Sequence, residues 1–509
     1  MEREISRRDM IECVLCGCAP CDAACPANLH PADLLRSIWF DNADVAAARL
    51  SSHPPCSDCP APCEQACVRP GRVPIRHLVS RLAGNGASVL KVRMPEDEKA
   101  LRAELCGVPL EHPFLLASSV VGSTYDMCAR AFEAGWAGVS FKTITHVDIH
   151  EASPRFSAIR GDSGSITGFK NIEQLSEHSV DENMEIFRKL KKDYPAKVIL
   201  ASIMGQTDED WEELARTCEG NGADAIELNF SCPNMAEKGL GSDIGQDVSL
   251  VERFTAAARR GATIPILAKL TPNVAFMSPA AEAAKRGGAD GFSAINTIKS
   301  IMGVDPCTYV SSPDVHGQSA VGGYSGNAVK PIALRFIAEL GKNPKLSGMY
   351  ISGMGGVETW KDALEFLLLG AGSIQVTTAV MQYGYRIIDD LKSGLNLYLK
   401  ENNIGSAGSL IGKGLDFVSN TTDCLERDTV NYPLFQRDRC IGCGRCEISC
   451  ADGGHQAIRM NGYRRPIMDP AKCVGCHLCV LICPENAIRS SGKWVGRYRG
   501  LKNFSYSGI

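Results

Sequence analysis

Cysteine is the residue whose number and spacing first suggest chemistry. Of 23 cysteines in the 509-residue chain, nine lie within residues 13–67 and eight within 440–483. The later group reads CIGCGRCEISC and then CVGCHLCVLICP, which is C-x2-C-x2-C-x3-C twice: Cys440, Cys443, Cys446, Cys450 and Cys473, Cys476, Cys479, Cys483. This spacing lets three thiolates close on one face of a [4Fe-4S] cube while the fourth crosses to the other cube. A pair of zinc knuckles would have no use for a third and fourth cysteine in both copies. Ala451 follows Cys450 where Pro484 follows Cys483, and the ligands are expected to be the same. The earlier group reads CVLCGCAPCDAACP and CSDCPAPCEQAC, with Cys13, Cys16, Cys21 and Cys25 as C-x2-C-x4-C-x3-C-P and Cys59, Cys63 and Cys67 as C-x3-C-x3-C. Two cubes need eight ligands and nine cysteines are on offer, counting Cys18 and Cys56; zinc or free thiols are the alternative reading. A long cysteine-sparse body between two dense ends argues for a reducing, cytoplasmic setting and metal clusters, not a secreted disulfide scaffold.

The body holds a second kind of chemistry. In ELNFSCPN, Asn229 offers a carboxamide that can both donate and accept, matching an amide-containing ring edge. Cys232 is followed by Pro233, and a thiol of ordinary pKa, about 8.5, is mostly protonated at neutral pH and can act as a general acid toward a carbanion-like carbon. A small buried core cysteine is the bland alternative. Lys142 and Lys269 end apolar runs, and a lysine in such a place needs an anionic partner; a reduced flavin, negative around N1, is one. GMGG (353–356) and the pair Thr377 and Thr378 supply backbone N–H groups and hydroxyls suited to a phosphate. Ser118, Asn296 and Thr297 end further runs.

These residues must be carried by elements that bring their ends together. Eight short β-branched runs, at 114–118, 138–144, 198–204, 225–231, 266–271, 291–297, 349–354 and 374–379, alternate with amphipathic stretches such as DEDWEELARTCEG, SPAAEAAKRGGA and TWKDALEFLLLGA. Eight β/α units over about 300 residues specify an α/β fold, a (β/α)8 TIM barrel, whose catalytic groups collect at the C-terminal strand ends. A doubly wound sheet would usually carry a Gly-rich dinucleotide fingerprint after its first strand, and none is present. The expected organisation is a helical Cys-rich Fe-S domain over 1–95 ending in a Gly-bearing linker, a catalytic barrel over 100–425, a ferredoxin-like 2[4Fe-4S] domain over 430–495 and a tail over 496–509. A net charge of −4 without Lys- or Arg-rich segments argues against nucleic acid. No apolar run approaches the roughly 18 to 20 residues that span a bilayer, and MEREISRRDM has no apolar leader region.

The head resembles the helical Fe-S domain that opens dihydropyrimidine dehydrogenase and the glutamate synthase small subunit. That resemblance implies one cluster on Cys13, Cys16, Cys21 and Cys67, and another on Cys25, Cys59 and Cys63 with a non-cysteine fourth ligand further on. No equivalent Gln or Glu stands around VPIRHLVSRLA, so Cys56 is the candidate, with Cys18 or His77 behind it. NIEQLSE, NFSCPN, AKLTPNV, NTIKSIMG, GGYSGNAVKPIAL and QVTTAV extend the resemblance across the body to the dihydropyrimidine dehydrogenase family, of the bacterial FMN and Fe-S subunit type, and more distantly to the dihydroorotate dehydrogenases. It implies FMN contacts at Ala117, Ser118, Lys142, Lys269, Ser325, Gly326, Gly355, Gly356, Thr377 and Thr378. It places a pyrimidine against Asn171, Glu173, Asn229, Asn296 and Thr297, with Cys232 as proton donor and Ser231 beside it. Asn234, shared with the dihydroorotate enzymes, and Gln174 depart from the dihydropyrimidine pattern.

The expected reaction is reduction of the C5=C6 bond of uracil or thymine, with electrons reaching FMN through four [4Fe-4S] clusters. Residues 68–113 are too few for the FAD and NADPH domains that the full-length type carries between head and barrel, so electrons are expected from a separate FAD/NAD(P)H flavoprotein or a ferredoxin, within a homodimer or hetero-oligomer. Two alternatives stand beside it: a dehydrogenase of dihydroorotate or another cyclic amide, and an electron-relay subunit whose barrel is only a scaffold. A basic residue placed to pair a ring carboxylate would favour the first, and Glu173 argues against it; Lys142, Cys232 and Asn296 argue against the second.

Overall fold

Runs that are apolar on both faces cannot sit at a solvated sheet surface, and helices must cover them. The computed structural model describes residue 5 and residues 7–50, 56, 58–89, 97–161, 166–235, 240–419 and 421–496. In it the eight runs form a closed parallel barrel of β1 (Phe114–Leu116), β2 (Gly138–Ser140), β3 (Val198–Ile203), β4 (Ala225–Asn229), β5 (Ile266–Lys269), β6 (Gly291–Ala294), β7 (Tyr350–Met354) and β8 (Ser373–Val376). Neighbours in sequence are neighbours in the barrel, and β8 closes it by pairing with β1, Ile374 opposite Phe114. Tyr350 aside, every residue of these strands is buried.

Helices that cover the barrel start where the sequence supplies caps. Thr207 and Thr359 each accept a hydrogen bond from the backbone N–H three residues on, while Asp210 and Asp362 reach back to the cap, which satisfies donors a helix start leaves open. Trp211, on the helix Asp208–Gly220, is fully buried against Phe230 and Phe254 at ring separations of 5.1 and 5.7 Å. Two βα connections carry extra strands. Phe156–Arg160 and Ile166–Asn171, after β2, join Ile298–Ser300 and Gly322–Ser325, after β6, in a four-stranded antiparallel sheet. Gly168 in this sheet lies under Tyr324, where any Cβ would collide with the phenol.

The head and barrel belong to one compact unit, residues 1–418. Three short head helices, Pro20–Ala23, Pro31–Trp39 and Pro62–Ala66, each start with proline after a left-handed residue, Ala19, His30 or Ala61. The head seats on the helix Ile388–Glu401: Arg36 Nε donates to Asp390 Oδ2 at 2.6 Å, Ser37 Oγ to Asp390 Oδ1 at 2.7 Å, and Asn42 Nδ2 to the Asp390 carbonyl at 3.3 Å. The Gly-bearing stretch expected to be a linker begins instead as helix, Ile75–Val89. Ile75, Leu78, Val79 and Leu82 form a buried stripe at helical spacing, which carries the helix into Gly84 and Gly86. Of the rest of that linker, residues 90–96 lie outside the described residues.

The second unit comprises residues 419–509. Thr429–Phe435 pairs antiparallel with Ile488–Gly496, and Ile458–Met460 with Pro466–Met468. The helices Arg445–Gly453 and Leu478–Leu481 complete it, and Cys446, Ile458, Cys479 and Ile488 form its core. The tail expected from residue 496 lies outside the described residues beyond that position. Among the described residues no helix is long and apolar enough to cross a membrane.

Candidate functional site

The C-terminal ends of the barrel strands and the antiparallel sheet line a cavity that is partly open to solvent. Ala117, Ser118, Lys142, Lys269, Ser325, Gly326, Gly355, Gly356, Thr377 and Thr378 line it, as do Asn171, Glu173, Asn229, Cys232, Asn296 and Thr297. Ser231 does not: its hydroxyl is fully buried, donating to Asn229 Oδ1 at 2.9 Å and accepting from Asn296 Nδ2 at 2.8 Å. It fastens two carboxamides to each other instead of facing the cavity.

One end of the cavity is lined by glycines and hydroxyls. Gly326, Gly355 and Gly356 have φ of 90°, 119° and 81°, a backbone region that side chains disfavour. A Cβ on Gly356 would stand 2.8 Å from the Lys330 backbone nitrogen and 2.9 Å from the Gly326 carbonyl oxygen. The hydroxyl of Thr378 donates to Ser325 Oγ at 3.0 Å, and those of Thr377 and Ser119 are 3.1 Å apart. A close-approaching backbone with clustered hydroxyls suits a phosphate ester.

At the other end the polar groups are fixed to one another. Asn229 Nδ2 donates to Thr143 Oγ1 at 2.9 Å. Asn171 Oδ1 accepts from Asn234 Nδ2 at 3.0 Å, and Asn234 also donates to the Glu173 carbonyl at 2.7 Å. Lys142 Nζ is 2.7 Å from Glu173 Oε2 and 3.6 Å from Glu151 Oε1, while Arg155 Nε is 2.8 Å from Glu173 Oε1. Below them Lys269 Nζ donates to Glu227 Oε1 at 3.1 Å, an oxygen that also accepts from Ser140 at 3.0 Å. Gln375 donates to the other Glu227 oxygen at 3.2 Å. Both lysines therefore have protein carboxylates as partners, and a flavin is not needed to explain their charge.

Burial works to raise the Glu227 pKa, but Lys269 beside it and hydrogen bonds from Ser293 and Gln375 hold its carboxyl below the usual range. Cys232 is 6% exposed. Its thiol is pushed up to about 11, chiefly by burial, with Glu151 adding to the shift and the Asn234 N–H, Lys269 and Lys142 opposing it. The sequence reading did not find Glu227, Glu151, Arg155 or Thr143. A glutamate between the apolar residues Ile226 and Leu228 was the available signal for Glu227; the other three are visible only through their partners.

The cysteines ring smaller cavities. Cys440, Cys443, Cys446 and Cys483 line one, and Cys450, Cys473, Cys476 and Cys479 another. Each takes three thiols from one motif and the fourth from the other. In the head, Cys13, Cys16, Cys21 and Cys67 line a third. Burial raises the Cys56 pKa, and Cys59 and Cys25 add to it; burial likewise raises Cys63, with Cys25 and Cys59 among its neighbours. Cys18 and His77 are exposed. Among the described residues, no group of three His, Cys, Asp or Glu side chains converges as ligands of one metal ion. The fourfold thiol sets fit a cube, whose iron atoms are spread over several ångströms.

Comparison with known proteins places these observations. The dihydroorotate dehydrogenase family profile matches residues 100–399, and the 4Fe-4S dicluster domain profile matches 434–490. The chain is 51% identical over 360 residues to the NAD-dependent dihydropyrimidine dehydrogenase subunit PreA of Escherichia coli (strain K12), covering 71% of this chain and 87% of that protein. It is 36% identical over 344 residues to the chloroplastic dihydropyrimidine dehydrogenase (NADP(+)) of Arabidopsis thaliana, covering 65% and 81%. With the catalytic subunit of dihydroorotate dehydrogenase B (NAD(+)) of Pyrococcus horikoshii it shares 37% identity over 322 residues, 62% of this chain and 99% of that subunit.

Proposed function

Because the chain belongs to the dihydroorotate dehydrogenase family and carries a 4Fe-4S dicluster domain, we propose that it is the pyrimidine-reducing subunit of a dihydropyrimidine dehydrogenase, adding two hydrogens across the C5=C6 bond of uracil or thymine. One observation carries this reading: a thiol, Cys232, and three carboxamides, Asn171, Asn229 and Asn296, line the same cavity. Carboxamides of fixed orientation match the alternating N–H and C=O edge of a pyrimidine. The residues of the phosphate end, with Lys142 and Lys269, would hold FMN, which supplies a hydride for C6 when bound.

The chain's own groups do the rest. Thr143 and Ser231 hold Asn229, and Ser231 holds Asn296, so the ring's hydrogen-bonding partners are set before it arrives. Lys142 and Arg155 flank Glu173 and fix the orientation of its side chain toward a ring N–H. Cys232 gives its proton to C5, and the positive charges of Lys142 and Lys269 favour the thiolate left behind. In this reading the four thiol sets of head and tail, with Cys56 completing the second head set, hold [4Fe-4S] clusters that carry single electrons from a separate flavoprotein or ferredoxin.

Dihydroorotate as substrate has one observation in its favour, Arg155 next to the cavity, but its guanidinium is engaged by Glu173. Anaerobic purification with iron, sulfide and FMN quantified, followed by uracil, thymine and orotate with an artificial reductant, tests the proposal. Loss of ultraviolet absorbance of uracil or thymine is the expected result. Turnover of orotate alone would establish the alternative, and bound FMN without turnover of any ring would leave an electron-relay subunit.

A further inference from the structure

The phosphate end of the cavity carries a carboxylate that the reaction does not use. Glu358, two residues beyond Gly356, lines the cavity with its side chain 8% exposed. A phosphate ester adds roughly one and a half to two negative charges at neutral pH, so an uncompensated Glu358 would oppose it. The compensating charge comes from the head. Arg7 Nη1 lies 3.4 Å from Glu358 Oε2, Arg7 Nη2 donates to Tyr383 Oη at 3.1 Å, and the guanidinium sits 4.0 Å above the Trp39 ring. Trp39 is a head residue; Tyr383 ends the helix Thr378–Tyr383, whose first residue lines the phosphate end.

The other charged groups facing Glu358 are Asp362 and Lys330; burial, with Asp362 beside it, pushes its carboxyl above the usual range, and Arg7 and Lys330 oppose that by favouring the charged form. Asp362 adds negative charge, and Lys330 is held by two carboxylates, Asp362 at 2.6 Å and Glu365 at 2.9 Å. Arg7 is then the cation left to answer Glu358 among these neighbours. Resting on the flavin reading above, we propose that Arg7 completes the FMN phosphate site from the head domain, as a positioning residue that neutralises Glu358. The flavin site of the barrel is on this account finished only when the head is seated.

FMN release from the full-length holoenzyme, followed by recovery of flavin fluorescence on dilution, tests this. Arg7→Met should speed release by about 10- to 100-fold, the range of a lost charged hydrogen bond. Adding Glu358→Gln to Arg7→Met should restore release to near the wild-type rate, because the charge that Arg7 answers is gone. Glu358→Gln alone should slow release. Unchanged release in Arg7→Met overturns the proposal, as does faster release in Glu358→Gln. A double variant as fast as Arg7→Met also overturns it, since Arg7 would then only anchor the head. A wild-type chain without FMN overturns the flavin reading and this proposal with it.

Discussion

Burial changes what Cys232 can do. With its thiol raised to about 11, the protonated form, the only one able to donate, persists across the neutral and mildly alkaline range. The rate of ring reduction should stay level from pH 7 to about 9 and fall as pH approaches 11, seen in initial rates with an artificial donor. A decline centred near the ordinary thiol value would show Cys232 in contact with water. Cys232→Ala should lower turnover by about 10² to 10⁴ while leaving flavin and iron content unchanged, and Cys232→Ser should fall between. Near-normal turnover in Cys232→Ala would make the thiol a core residue, and Ser231 could not replace it, since its hydroxyl is spent on Asn229 and Asn296. The sequence SCPN was enough to single out this cysteine. Its acidity was not legible, because the burial that sets it comes from segments far away in the chain.

At the scale of elements, all eight barrel strands were readable, since each must be apolar on both faces and short. What ran against the pattern was the interior of the barrel, where Glu227 on β4 and Lys269 on β5 are almost wholly buried. Removing one partner of a buried pair leaves a charge without compensation, so Glu227→Ala should cost about 3–5 kcal/mol, measured as a drop in the urea midpoint. A change below 1 kcal/mol would mean that water reaches Lys269. Pairing between strands was inferable from alternation of β and α; pairing between these side chains was not, because Glu227 reads only as a polar residue between two apolar ones. The helix Ile75–Val89 was misread for the opposite reason: Gly84 and Gly86 argue locally for a linker, whereas the Ile75, Leu78, Val79 and Leu82 stripe is buried against the head.

For the whole molecule, four thiol sets predict iron near 16 atoms per chain, four per cube. Iron near eight would remove clusters from the head. Without a dinucleotide fingerprint, the purified chain should not oxidise NADH or NADPH, and should gain that activity when mixed with an FAD-containing partner; NADH-driven uracil reduction by the chain alone would refute this. The seating of the head on the barrel could not be read in advance, because Arg36 and Asp390 stand 354 positions apart and each alone is an ordinary surface residue type. The exchange of thiols between motifs has a consequence for how the protein is made. The cavity of Cys440, Cys443 and Cys446 is closed by Cys483, and that of Cys13, Cys16 and Cys21 by Cys67. A ribosome delivers those closing residues last, so a cube proposed for either segment could not be fully ligated as its first motif emerges. On the cluster reading proposed above, complete ligation waits for the whole segment, and a nascent chain stalled between Cys450 and Cys473 would hold one three-legged nest, open to oxygen and to the wrong metal.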